Sequence, residues 1–265
     1  MASDSTRTHA APTRFIAAAR VLLDALEAQA EAISRVAEAC ADAIAAGGLV
    51  HLFGTGHSRI PVEEMFPRYG SYPGFNPIVE LSMTFHTQVV GSNGQRQAMF
   101  IERTPGLAEA ILANFDFRAT DAMIVFSASG LTAVPIEMAL GARRRGLTVV
   151  AVTSVAQSLA GEPRHAAGRL LDNADLVLDL GTPPGDALVA IDDLETPVAP
   201  GSTIAAVALV NEIKSQTAAL LVERGAMPPV LTSPALVGKE ASAALFDAAY
   251  AEHARRYARS LRGAA

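Results

Sequence analysis

The chain has 265 residues, half of them apolar and 18% charged, which is a globular composition long enough to bury one core and unlike that of a disordered segment. Its net charge of −6 argues against nucleic acid or an anionic membrane surface as partner. With no Trp and few aromatics, the core falls to Ala, Val, Leu and Ile.

Residues 1–12 are small and polar and read as a flexible tail; 13–265 read as one domain, opened and closed by long helices. From Phe15 to Ala46, apolar residues at Leu22, Leu26, Ile33, Val36, Cys40 and Ile44 recur at helical spacing and share a face. Cys40, the lone cysteine, lies on that stripe and is expected to be a buried structural thiol. Gly47-Gly48 ends the helix. The period then changes: Leu49 to Phe53 is a short apolar run ending in Gly54-Thr55-Gly56-His57-Ser58, a strand followed by a tight loop. A helix over 62–69 follows, then a strand near 77–80 and a helix over 107–115.

The next unit repeats the arrangement. Ala122 to Phe126 is a strand, Ser127-Ala128-Ser129-Gly130-Leu131-Thr132 a loop, and Val134 to Arg145 a helix with Pro135 in its first turn. Strands follow at 148–153 and 176–180. Residues 181–201, rich in Gly, Pro and Asp, read as a long loop with room for a short strand. Ser202-Thr203 caps a helix to about Arg224, which Pro228-Pro229 stops, and 247–261 is a final amphipathic helix. The Arg143–Arg145 and Arg255-Arg256 runs read as solvated helix faces. Strands that are continuous apolar runs, alternating with helices, predict a three-layer α/β sandwich around a five-stranded parallel sheet.

Two loops carry chemistry. Both follow a strand, contain Ser and Gly, and precede a helix. Glycines let backbone N–H groups turn inward toward an anion, the following helix offers free N–H groups and the positive end of its dipole, and hydroxyls add donors without bulk. In a sheet wound 2-1-3-4-5 the first and third strands are neighbours, so the loops face each other where the winding reverses. Gly54, Thr55, Gly56, His57, Ser58, Ser127, Ser129, Gly130 and Thr132 are therefore the expected phosphate-binding residues. No Lys follows the glycines, as a Walker loop needs, and the three-glycine dinucleotide pattern is missing.

The run Ser127-x-Ser129-Gly130-x-Thr132 between strand and helix resembles the signature of SIS (sugar isomerase) domains, and Gly54-x-Gly56-x-Ser58 resembles their first phosphate loop. The resemblance spans about residues 20–225. Gly54 to Ser58, Glu102-Arg103, Val134 to Leu140 and Gly185 to Leu188 look most like the UPF0309 group of uncharacterised phosphosugar isomerase-like proteins. It implies a flavodoxin-like winding and a phosphate held by Ser58, Ser127, Ser129 and Thr132. Ala128 stands where several relatives have Gln.

The resemblance further implies an aldose–ketose phosphosugar isomerase, or else a non-catalytic sugar-phosphate sensor or an amino-sugar-phosphate lyase. Relatives often take a base from the helix after the first loop, where Glu63 and Glu64 stand here. Being adjacent, they point about 100° apart, so at most one is expected to face the site. Phosphoheptose isomerases place a His on the late helix, where this chain has Lys214. Lys214, or His86 from a neighbouring subunit, would assist the base; by its mid-helix place alone Lys214 reads as a solvent lysine. Glu102-Arg103 reads as a structural ion pair, and His165 and His253 as surface residues. No cofactor and no metal is called for, since no paired His/Cys spacing occurs. The expected partners are a small sugar phosphate and further copies of the chain, as a homodimer or homotetramer. Without an apolar signal core or a run of 18 apolar residues, a cytoplasmic location is expected.

Overall fold

The computed structural model describes residues 14–84 and 94–261. Five parallel strands form one sheet in the order β2-β1-β3-β4-β5, with β1 Val50–Gly54, β2 Phe75–Ile78, β3 Ala122–Phe126, β4 Thr148–Thr153 and β5 Leu176–Asp179. This is the winding expected. β1 pairs in register with β3, Gly54 opposite Phe126, so the loops after them start side by side.

Each central strand alternates between two cores. Val50, Leu52, Ile124, Phe126, Val150 and Val152 point into one cluster, and Phe53, Met123, Val125, Val149 and Ala151 into the other. Both faces are dry, as a parallel sheet requires. On the first face lie α1 (Arg14–Glu27), α2 (Ala30–Ala45), α3 (Ile60–Met65), and the late helices α8 (Ser202–Glu223) and α10 (Lys239–Ala258). On the second lie α5 (Leu107–Leu112) and α6 (Ala133–Arg144). Short helices α4 (Gln95–Ile101), α7 (Val155–Ala160) and α9 (Pro234–Val237) fill the connections. A hairpin of β6 (Ala187–Val189) and β7 (Val198–Pro200) stands in the Gly/Pro/Asp-rich loop.

Several boundaries differ from expectation. The opening helix is two helices, broken at Ala28-Gln29. Gln29 has another task there: its amide donates to the Asp179 carbonyl at 2.8 Å and accepts from the Asp179 N–H at 2.9 Å, along edge strand β5. The helix after the first loop runs 60–65 and not 62–69, because Phe66 precedes Pro67 and turns extended. β2 lies two residues early, and α10 begins at Lys239, eight residues before the expected start. Arg256 is not a solvated side chain: it donates to the Ile44 and Gly48 carbonyls, each at 2.8 Å, closing the C-terminal end of α2. Arg144 and Arg145 clasp Glu109 of α5. Cys40 is buried, as expected.

Candidate functional site

The first loop folds back on itself directly after β1. Residues Gly56–Arg59 form a single 3-10 turn, then α3 begins. Gly54 is required by contact: a Cβ there would sit 2.1 Å from the Ser58 carbonyl oxygen. The second loop turns on Gly130, at φ +63°. A Cβ at Gly130 would lie 2.9 Å from Thr153 Oγ1 and 3.3 Å from Ser158 Oγ, so β4 and α7 brace the loop from below. Ser127 Oγ accepts the Gly130 N–H at 3.2 Å. Thr132 takes the N-cap position of α6 without using its hydroxyl to cap it.

The two loops share a small cavity of about 20 Å³ at the carboxyl ends of β1 and β3. His57, Ser58 and Pro61 line it from one loop, Ser127 and Ala128 from the other, and Phe126, Val152 and Leu180 form its floor. The third wall was not foreseen. Ser202, Thr203 and Ala206, the first turns of the 22-residue α8, line the same cavity. Neither hydroxyl caps that helix. The cap comes from Asp186, at φ +67°, whose carboxylate accepts from the Ser202 N–H at 2.8 Å and from Ser202 Oγ at 2.6 Å. Ser129, Gly130 and Thr132 continue the second loop toward α6 beyond this lining, and Ser129 and Thr132 are partly exposed. His57 is the one titratable side chain in the lining.

Thr55 and Glu102 lie behind the loops. Thr55 Oγ1 donates to the Glu102 carboxylate at 2.6 Å. The Glu102 carbonyl accepts the Val134 N–H, in the first turn of α6, at 3.0 Å. Glu102 therefore ties the first loop to the helix that follows the second. The expected Glu102–Arg103 ion pair is replaced by this bridge. Burial pushes the Glu102 carboxyl above the usual carboxylate range, against the Thr55 hydrogen bond and the Arg103 charge. Nothing in the local sequence marks this role, because it depends on a contact 47 residues away.

The other candidates are placed elsewhere. Glu63 is exposed and pairs with Arg59. Glu64 is bonded by Arg68 and by Asn211, whose Nδ2 donates to it at 2.9 Å. Burial would raise the Glu64 carboxyl, but these bonds and the Arg68 and Lys214 charges hold it below its ordinary value. Both carboxylates line an open trough with Ile60, Tyr69, Phe246 and Tyr250, while of α3 only Pro61 faces the cavity between the loops. Lys214 is buried, not a solvent lysine. It stands twelve residues beyond Ser202, roughly 18 Å along α8. His86 lies outside the described residues. His165 is half-buried, not a surface residue: its Nδ1 accepts the Ala167 N–H at 3.2 Å, which leaves Nε2 to donate to Glu137 at 3.3 Å. His253 packs against Phe66 and Tyr257. Among the described residues no group of three or more His, Cys, Asp or Glu is placed to hold a metal ion.

Comparison with known proteins bears on this arrangement. The SIS domain family model matches residues 14–154. A UPF0309 protein of Streptomyces coelicolor is 35% identical over 85% of this chain and 89% of its own length. Another, from Geobacillus thermodenitrificans, is 33% identical over 81% of this chain and 84% of its own. Among solved structures, the phosphoheptose isomerase GmhA of Neisseria gonorrhoeae aligns with a TM-score of 0.47 at 15% identity, covering 78% of this chain and 94% of that one. With its parallel sheet and its paired Ser/Gly loops, the chain belongs to the SIS domain family and, within it, to the UPF0309 proteins.

Proposed function

We propose that the chain binds a sugar phosphate in the cavity between its two loops and isomerises it between aldose and ketose. One observation carries the reading: hydroxyls and helix N-termini from three separate segments converge on a cavity with no carboxylate in its lining. Such a cavity is built for a dianion. Ser58, Ser127 and Thr203 donate to the phosphate, and Ser129 and Thr132 hold it from the α6 side. Gly54, Gly56 and Gly130 let the backbone close around it. The N-terminus of α8, the longest helix, adds its dipole.

In this reading the sugar extends past Thr55 toward Glu102. A carboxylate whose burial raises its proton affinity is suited to take the C2 proton and return it at C1. His57 moves the proton between O1 and O2. The base thus sits behind the loops, on Glu102, and not on the Glu63–Glu64 pair of α3. A non-catalytic sensor is the second reading, favoured by the scarcity of acid–base side chains in the lining, where His57 stands alone. Assembly as a dimer or tetramer belongs to the proposal as well; exposed Ile16, Val21 and Leu23 on α1 support it.

The test is thermal denaturation with a panel of sugar phosphates and their unphosphorylated parents, followed by proton exchange at C2 in deuterated water. A ligand in excess of its Kd raises stability by mass action. Stabilisation by a sugar phosphate but not by its parent is expected, with deuterium uptake at C2. Binding without uptake selects the sensor. Stabilisation by neither, with none from phosphate or sulfate at high concentration, refutes the site.

A further inference from the structure

Of the 21 basic residues in the chain only two are lysines, Lys214 and Lys239. The difference is chemical. Arginine stays protonated in proteins, whereas a desolvated lysine sheds its proton and becomes a nucleophile. Lys239 is exposed at the start of α10. Lys214, in the middle of α8, is 6% exposed. An ammonium carries three donors, yet among the described residues Lys214 Nζ has one acceptor, the Glu64 backbone carbonyl at 3.1 Å.

Lys214 also lines an open cavity of about 270 Å³ with Gly70, Tyr72, Asn211, Ser215 and Met227. This cavity shares no lining residue with the one between the loops. The Tyr72 hydroxyl donates to the Lys214 carbonyl at 2.6 Å, and Asn211 Nδ2 to Glu64, so the polar wall of the cavity is fixed in place. The charged groups facing the amine are the Glu64 carboxylate and the Arg68 guanidinium, which oppose each other. Burial tips the balance and draws the amine below the usual lysine range.

We propose that Lys214 is a carbonyl-capture site: its amine condenses with a small hydroxyaldehyde entering this cavity and holds it as an imine. The neutral Nζ lone pair adds to the carbonyl carbon, and the amine proton passes to the carbonyl oxygen, giving a carbinolamine. Loss of that hydroxyl with the remaining amine proton as water leaves the C=N bond. No oxidant or reductant is needed, and the site does not depend on the sugar-phosphate reading.

The experiment uses the intact protein, glycolaldehyde as probe and cyanoborohydride to trap the imine, with adducts located by peptide mass mapping. Lys239 is the internal standard. In the native protein near neutral pH, Lys214 is expected to acquire the adduct several-fold faster than Lys239, and in urea the two rates should converge. Modification of Lys214 no faster than Lys239 in the native state would overturn the proposal and leave Lys214 as an ammonium pinned to Glu64. Lys214→Arg should abolish the adduct at that position; should this variant not fold, the wild-type comparison decides alone.

Discussion

Substituting Gly130 by Ala tests how tightly the second loop is held. Two terms add. The residue adopts a left-handed φ of +63°, which costs an L-residue about 1–2 kcal/mol. The new Cβ also meets Thr153 Oγ1 at 2.9 Å and Ser158 Oγ and Leu170 Cβ at 3.3 Å. Crowding of this kind costs about 1–3 kcal/mol more. Stiffening of the unfolded chain returns about 0.4–1 kcal/mol. Gly146 supplies the control: its φ is +84° and nothing lies within 4 Å of its Cβ position, so Gly146→Ala carries the backbone term alone. The expected loss is therefore about 1–4.6 kcal/mol for Gly130→Ala and about 0–1.6 kcal/mol for Gly146→Ala. Each kcal/mol lowers Tm by roughly 2–4 °C in a chain of this size. Thermal denaturation of both variants measures the difference, and repetition with the sugar phosphate that stabilises the wild type reads the site. Gly130→Ala should lose that stabilisation and Gly146→Ala should keep it. Equal losses of stability would show that the loop has room to spare, and the account of a braced anion cradle would fail.

Glu102→Gln keeps an acceptor for Thr55 and removes the charge. A carboxyl raised in the folded state contributes stability below its unfolded pKa and loses it as pH rises through the folded value. The variant should therefore match the wild type in acid and exceed it in Tm above the ordinary glutamate range, while binding sugar phosphate and losing C2 exchange; a lower Tm at neutral pH contradicts the burial argument. Ser127→Ala should weaken phosphate binding by about 1–3 kcal/mol, read by titration calorimetry against inorganic phosphate, and unchanged affinity would remove Ser127 from the site. Arg256→Ala strips two carbonyls of their partner and should cost about 1–3 kcal/mol in urea unfolding; a value near zero would show that water replaces the guanidinium. The Cys40 thiol is pushed up to about 12 by burial, so iodoacetamide should label it only when the protein unfolds; rapid labelling of the native protein would contradict its burial.

The sheet and its two loops were legible because their signals are local. β3 and residues 149–152 of β4 are unbroken apolar runs and β1 is interrupted only by His51; a strand buried on both faces reads as near-continuous apolar sequence. What the sequence concealed depends on distant partners. Ala28-Gln29 breaks a helix without Gly or Pro, and the apolar stripe runs through the break. The reason for it lies at Asp179, 150 residues away. α4 and α7 are too short for a period to register. Ser202 reads as a helix cap, and only the fold shows Asp186 capping in its place, leaving Ser202 and Thr203 to line the cavity. Glu102 next to Arg103 invites an ion-pair reading; Thr55 overrides it.

Gln29 has a consequence beyond the break it causes. β5 ends the sheet, and an open strand margin is a template on which other chains can pair. At Asp179 that template is filled, because one side-chain amide offers both the donor and the acceptor that a sixth strand would bring. The amide has no further backbone to extend the ladder, so it stops growth where it binds. Gln29→Ala would reopen that position, and its effect should be seen first as concentration-dependent clumping of the folded protein and only second as lost stability.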